Sequence, residues 1–351
     1  MPFQEIVGQD RVIQILKRAL ERDNLPHAYL YYGADGVGKF KVALSLAKAL
    51  LCEKAERDFC GACPVCRQIE SGNHPDVLVL RPESRKGEKD WFVDPAMGTI
   101  RIEQIRQLQH WIAVGSFQGG WRLGILEGAD KLNAHAANSL LKTLEEPPPR
   151  SLLILISPTR TQLIPTIVSR CQPVYFPPIA RAELEAALTG RLEASADAVT
   201  VLACLADGSI GKALALDRDW VFQERGQWIE RLCAFLDAGG GPFQDFVDEL
   251  IHFPRMMEVL ELYQTWFRDL LVYLEMGEAG RLFNADLLKQ VEQFSTRGDS
   301  LAWIGSIAAL QRAREAIQNH FNSQLVVEGM LLDLVAHRDR QAPASIWREE
   351  S

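Results

Sequence analysis

No hydrophobic run in this chain is long enough to cross a bilayer. Its longest aliphatic stretch, Leu152 to Ile156, is far short of the roughly 20 apolar residues a spanning helix needs. The opening residues, MPFQEIVGQD, hold neither a basic segment nor an apolar core, so no secretory signal is expected. An excess of positive charge is also missing. With 38 Lys and Arg against 46 Asp and Glu, the net charge is −8, which argues against a chain that coats nucleic acid and leaves only a local basic face open. Cysteine is sparse, seven in 351 residues, and four of the seven cluster between positions 52 and 66. That usage fits a metal site in a reducing compartment better than a disulfide framework. The expectation is a cytoplasmic protein. Its length allows two or three domains with a sizeable core, and its 47% hydrophobic and 24% charged residues are ordinary for a globular chain.

What is present is organised around Gly33 to Phe40, GADGVGKF. It follows the apolar run Ala28 to Tyr32 and leads into the amphipathic run Val42 to Leu51, the strand–loop–helix setting of a phosphate-binding loop. Gly33, Gly36 and Gly38 let the backbone turn tightly with its N–H groups inward, and Lys39 supplies a positive charge. One part is lacking. The residue after the lysine should be Ser or Thr, whose hydroxyl holds Mg²⁺, and here it is Phe40, which offers a hard cation no oxygen. A second part is lacking downstream. The strand Trp121 to Leu126 should end in an acidic pair, one residue for Mg²⁺ and one for the attacking water, yet the chain reads LEGAD with Glu127 and then Gly128. The loop is built for a nucleotide and lacks what is needed to hydrolyse one, so ATP binding stays open and no turnover is expected.

Cys52, Cys60, Cys63 and Cys66, in the stretch ending DFCGACPVCRQI, place four soft thiolates within reach of one tetrahedral ion. Structural zinc is the expectation, with iron–sulfur as the weaker alternative and unpaired buried thiols as the bland one. His74, in NHPD, is a substitute ligand or, as usual for a loop His before Pro, a structural residue.

The chain order reads as α/β followed by all-helical. The stretch 6–20 opens with VGQD and continues at helical spacing; it is a packing helix before the first strand or, more sharply, lays its VGQ segment over the adenine side of the phosphate loop. A strand Val77 to Leu80 follows the cysteines. Residues 81–98 are charged and aperiodic and read as a flexible excursion. Helices over 103–113 and 132–144, the buried strand Leu152 to Ile156, a short helix over 166–170 and an edge strand Pro173 to Phe176 complete a parallel sheet covered on both faces. Pro177 and Pro178 mark a boundary. Three short helices without a strand follow to Leu216, then helical periodicity to about Arg338 and a polar tail from Gln341.

GADGVGKF, CGACPVC with NHPDV after it, ANSLLKTLEEPPP and PTIVSRCQ stand in the order found in bacterial clamp-loader subunits. The chain resembles the delta-prime type of DNA polymerase III subunits over Ile6 to about Leu216, and over the rest by helical type and position. The resemblance implies an AAA+ P-loop module over 1–177 with a zinc-module insertion near 52–75, a small helical lid over 178–218, a helical collar over 219–340 and a flexible tail over 341–351. It also implies a part in a hetero-pentameric ring with gamma/tau and delta subunits, which places a sliding clamp on primed DNA within a DNA-directed DNA polymerase (nucleotidyltransferase) holoenzyme at the replisome. Ser169, Arg170 and Cys171 match the family's SRC motif, whose arginine reaches a neighbour's ATP. Without that resemblance an arginine at a helix end would be a solvated charge. In GSIGKAL, Gly211 stands where active subunits carry a nucleotide-sensing arginine. The competing readings are an ATP-hydrolysing gamma/tau-type subunit or other self-sufficient P-loop ATPase or kinase, which Phe40 and Gly128 oppose, and a zinc adaptor for nucleic acid, which the acidic balance opposes.

Overall fold

The computed structural model describes residues 3–338 except 4–5, 55–57, 87–89, 96, 117–119, 278–280 and 320, so the tail expected over 341–351 lies outside the described residues. The chain packs as two compact units, residues 1–191 with 208–214, and residues 192–207 with 215 onward.

The first unit is a parallel sheet with helices on both faces. Its strands are β1 (Ala28–Tyr32), β2 (Val77–Leu80), β5 (Arg122–Glu127), β6 (Ser151–Ser157) and β7 (Gln172–Tyr175), in the order β2-β5-β6-β1-β7. β7 lies at an edge, as expected. All seven residues of β6 are buried, because a strand inside a doubly covered sheet has no solvent face. Alternate side chains feed two separate cores. Tyr29, Tyr31, Ile154 and Ile156 pack with Leu16 and Leu20 of helix α1 (Asp10–Glu21), with Val42 and Leu46 of α2 (Lys39–Leu51), and with Ile69 of α3 (Pro64–Glu70). Leu30, Leu153 and Leu155 pack with Leu108 and Ile112 of α4 (Ile102–Ala113), Leu140 and Leu144 of α5 (Ala134–Glu145), and Ile167 of α6 (Pro165–Val168). The parallel α/β sheet covered on both faces, expected from the sequence, is the fold observed.

One expectation is corrected. Within 81–98 the chain forms an antiparallel pair, β3 (Glu83–Lys86) with β4 (Asp90–Val93), registered by Glu83 opposite Val93 and Ser84 opposite Phe92. Polar and backbone bonds hold it. Ser84 Oγ donates to Asp94 Oδ2 at 2.6 Å, Asp94 N–H to Pro82 O at 2.8 Å, and Glu83 and Thr99 exchange N–H···O bonds at 3.0 Å each. Such a pair carries no apolar period, so hydrophobic patterning passes over it.

Three short helices follow Pro177 and Pro178: α7 (Arg181–Thr189) in the first unit, α8 (Ala196–Leu205) in the second, and α9 (Ile210–Ala215), whose residues to Leu214 belong to the first. The rest of the second unit consists of α10 (Arg225–Asp237), α11 (Phe243–His252), α12 (Met256–Met276), α13 (Leu288–Ser295), α14 (Ser300–Gln318) and α15 (Ser323–Arg338). Trp228, Tyr263, Trp266, Phe267, Trp303 and Leu331 fill its core. Of the helical stripe Leu260, Tyr263, Phe267, Leu270 and Leu274 on α12, the first four are core and Leu274 is exposed. Asp269, fully buried, accepts N–H bonds from Phe283 at 3.0 Å and Asn284 at 2.7 Å, and Arg268 Nη1 at 2.8 Å balances its charge.

Candidate functional site

Register brings the site together before any side chain is considered. Tyr32 pairs with Ser157, Leu126 with Leu155, and Leu80 with Leu126, so β1, β6, β5 and β2 end nearly level. The phosphate loop after β1, Glu127 at the end of β5 and Arg81 just past β2 thus meet at the carboxyl edge, the place where open α/β sheets take ligands. They line a cavity of about 340 Å³ with Lys39, Phe40, Gly128 and Asp130. Gly36 and Gly38 also line it, and Gly33 opens the loop immediately after β1.

Gly38 caps α2 in a left-handed conformation, φ 103°, which turns the first N–H groups of the helix toward the cavity. Lys39 is 5% exposed. Its Nζ donates to the carbonyls of Gly33 and, at 2.8 Å, Ala34, and lies 3.4 Å from Asp35 Oδ1. Burial lowers its pKa, and Asp35, Asp130 and Glu127 partly restore it. The VGQ segment does reach the loop: Gln9, buried, donates from Nε2 to Val37 O at 3.3 Å and Pro177 O at 2.9 Å.

The two weak points of the sequence face one another. Arg81 Nε donates to Glu127 Oε2 at 2.7 Å, and the Arg81 guanidinium carbon lies 5.0 Å from the centroid of the Phe40 ring. Gly128 has φ 79°, and a Cβ there would lie 2.9 Å from Pro82 Cγ, so packing as well as composition keeps a side chain out of the water-orienting position. Asp130, half-buried, has an Oδ1 without a hydrogen-bond partner, and burial raises its pKa. Arg81 and Asp130 went unmarked in the sequence. The available signal for Arg81 was its place one residue past a strand that ends beside Glu127.

Residues 209–212 close over the loop from outside. Ser209 Oγ donates to Asp35 O at 2.7 Å and Gly211 N–H to Gly36 O at 2.9 Å.

Arg170 is absent from the lining of the cavity. It follows α6, with Nη2 2.6 Å from Glu145 Oε1 and Nη1 donating to Thr166 O at 3.0 Å, and its side chain is 35% exposed. Ser169 Oγ donates to the same carbonyl at 3.1 Å. Cys171 is core, and burial pushes its thiol up to about 12, which makes it inert.

The Sγ atoms of Cys52, Cys60, Cys63 and Cys66 all lie within 4.8 Å of one another. A Zn–S bond of about 2.3 Å in a tetrahedron puts sulfurs about 3.8 Å apart. The 4.0 Å between Cys52 and Cys63 Sγ fits that spacing. N–H groups of Cys60, Cys63 and Cys66 point at Cys52, Cys60 and Cys63 sulfur at 3.3–3.4 Å, an arrangement that stabilises thiolates. The N–H groups of Ala62 and Cys63 hold Cys60 down at about 6, whereas burial pushes Cys66 up to about 12. The donor set fits zinc. His74 is spent elsewhere, its Nδ1 accepting the Asp76 N–H at 3.1 Å.

Residues 8–180 match the family described as DNA polymerase III, delta subunit, and residues 221–335 match its C-terminal counterpart. The chain is 30% identical to DNA polymerase III subunit delta' of Bacillus subtilis over 93% of this chain and 96% of that protein. The chain belongs to the DNA polymerase III delta-prime family. The corresponding protein of Pseudomonas aeruginosa is 31% identical over 87% of this chain and 90% of its own length. A tau subunit from Escherichia coli is 31% identical over 64% of this chain and 34% of its own length, a shorter likeness than the delta-prime ones. No described helix is long and apolar enough to cross a membrane.

Proposed function

We propose that this chain is a non-hydrolysing delta-prime subunit of a DNA polymerase III clamp loader, which joins gamma/tau and delta subunits in a hetero-pentameric ring and helps place a sliding clamp on primed DNA. In this reading residues 1–177 are the P-loop module, 178–218 a lid and 219–340 the collar, and the protein works in the cytoplasm at the replisome. The observation that carries it is the separation of two parts. The chain's own cavity lacks a metal-binding hydroxyl at Phe40 and a water-orienting carboxylate at Gly128, while Arg170 stands outside that cavity with its fork at the surface. A guanidinium there offers planar paired donors to a phosphate on another subunit. The four cysteines hold structural zinc with no open position for catalysis.

The test is turnover by the purified chain against turnover by the assembly. The chain alone, with ATP and Mg²⁺, should show no hydrolysis above background. With gamma/tau and delta it should co-elute on gel filtration and restore clamp loading on primed DNA. Steady ATPase by the chain alone that is lost in Lys39→Ala would establish the self-sufficient P-loop enzyme instead.

A further inference from the structure

Helix α1 buries one face and shows another. Val12, Ile13, Leu16 and Leu20 enter the core. At about 100° per residue, Arg11, Ile15, Arg18 and Arg22 fall within about 60° of one another on the side turned away. All four are exposed, Ile15 by 42%. Arg22 follows the helix as its C-cap and keeps right-handed geometry, so it continues the row. At a rise of about 1.5 Å per residue, the three arginines are spread over about 16 Å. Lys17 takes no part, because its Nζ lies 5.4 Å from the centroid of the Phe3 ring. The acids of the helix, Asp10 and Glu21, stand together on one flank of the row.

The three arginines are unspent. None of them makes an ion pair or a side-chain hydrogen bond among the described residues. In a chain with 46 acidic and 38 basic residues such cations usually find a carboxylate, as Arg225, Arg231, Arg255 and Arg297 do. The mixture in the row selects the partner. Guanidinium forks take carboxylates or phosphates through paired bonds. A nucleic-acid backbone offers phosphates but nothing for Ile15, and α1 holds no aromatic ring on which a base could stack. An acidic peptide with one apolar side chain meets both needs. Its carboxylates lie across the forks, and its apolar group covers Ile15 and shields the ion pairs from water. We propose that the outer face of α1 docks a short acidic segment of a partner protein, with an aliphatic residue among the acids. This goes beyond the proposed function and rests on neither the phosphate-loop cavity nor Arg170.

The experiment is fluorescence anisotropy with the full chain and three labelled probes, at low and at physiological salt. The probes are a short glutamate peptide with one central leucine, the same peptide with serine for the leucine, and a short DNA duplex. The leucine peptide should bind about threefold to tenfold more tightly than the serine one, from partial burial of one aliphatic side chain. At physiological salt it should also bind more tightly than the duplex. Ile15→Ser should erase the preference for leucine and leave the serine peptide unaffected. Arg18→Ala should weaken both peptides about twofold to fivefold, the scale of an exposed ion pair. Arg18→Lys should recover only part of that, since it lacks the fork. Replacing Arg11, Arg18 and Arg22 together by Ala should abolish binding. Arg106→Ala, an exposed arginine of α4 on the opposite face of the sheet, should change nothing. All these side chains are exposed, so a thermal melt matching the wild type separates lost binding from lost fold. The proposal is overturned if neither peptide binds, if leucine confers no advantage, or if that advantage survives Ile15→Ser. It is equally overturned if the triple variant binds like the wild type, or if the duplex binds more tightly at physiological salt, which would make this a nucleic-acid face. None of these results bears on ring ATPase, so the arginine-finger reading stands or falls separately.

Discussion

Gly211 and Gly36 meet backbone to backbone: the N–H of one donates to the carbonyl of the other at 2.9 Å, and a Cβ on Gly211 would lie 2.8 Å from Gly36 Cα. A side chain at position 211 would therefore meet the phosphate loop itself. Gly211→Ala should cost about 1–3 kcal/mol, as overpacking against unyielding backbone does. In a unit of this size that lowers the melting temperature by roughly 2–4 °C per kcal/mol. Gly211→Arg should destabilise further and should not create nucleotide-dependent closure. A thermal melt of Gly211→Ala that matches the wild type would show that the contact yields freely.

Restoring single parts should not make an ATPase. Phe40→Thr returns a hydroxyl but leaves Glu127 bound to Arg81 and position 128 empty. Adding Gly128→Glu puts a side chain at φ 79° against Pro82, at about 1 kcal/mol or more of backbone strain plus the clash. Neither variant should turn over ATP measurably in a phosphate-release assay, and the double variant should melt below the wild type. Restored turnover in Phe40→Thr alone would mean that Arg81 and Gly128 are no obstacle.

The parts of the fold legible in the sequence are those written in local patterns. Glycines at 33, 36 and 38 between an apolar run and an amphipathic one placed β1, the loop and α2, and the aliphatic run around Ile154 placed a fully buried strand. Cysteine spacing named the four thiols that the structure brings within 4.8 Å of one another. What escaped depended on distant or polar contacts. β3 and β4 are four residues each, closed by Ser84, Asp94 and Thr99 rather than by apolar alternation. Arg81 acquires its meaning only when the register sets β2 beside β5. The touch between Gly36 and Gly211 joins residues far apart in the chain, and no local pattern predicts it.

Metal content checks the cysteine cluster. Protein purified without added metal should carry one Zn²⁺ per chain by elemental analysis, with no visible absorption band. Cys66→Ser should lose it, because Cys66 is buried and no other described His, Cys, Asp or Glu joins the cluster. A strong chelator should lower the melting temperature, since zinc bound only by the folded form stabilises it by mass action. Metal-free protein, or a charge-transfer band typical of iron–sulfur, would refute the assignment.

Arg170 offers a test of function that leaves the fold nearly untouched. Its bond to Glu145 Oε1 is 2.6 Å long, but the two side chains are 35% and 50% exposed. Pairs so exposed contribute at most about 1 kcal/mol, because water competes for both charges. Arg170→Ala should therefore fold, melt within a few degrees of the wild type and join gamma/tau and delta on gel filtration. If its fork stabilises the γ-phosphoryl of a neighbour's ATP, clamp-stimulated turnover at that one site should fall by about 10³-fold, the scale of arginine fingers. The rate of the whole ring would fall less if its other sites fire independently. Arg170→Lys should rescue poorly, since an ammonium keeps the charge and loses the planar pair of donors. Glu145→Gln provides the control: it frees Arg170 from its intramolecular partner, so it should leave turnover intact or raise it. Should Arg170→Ala assemble and load clamps at the wild-type rate, the arginine has no part in a neighbour's site and the chain serves the ring as a spacer.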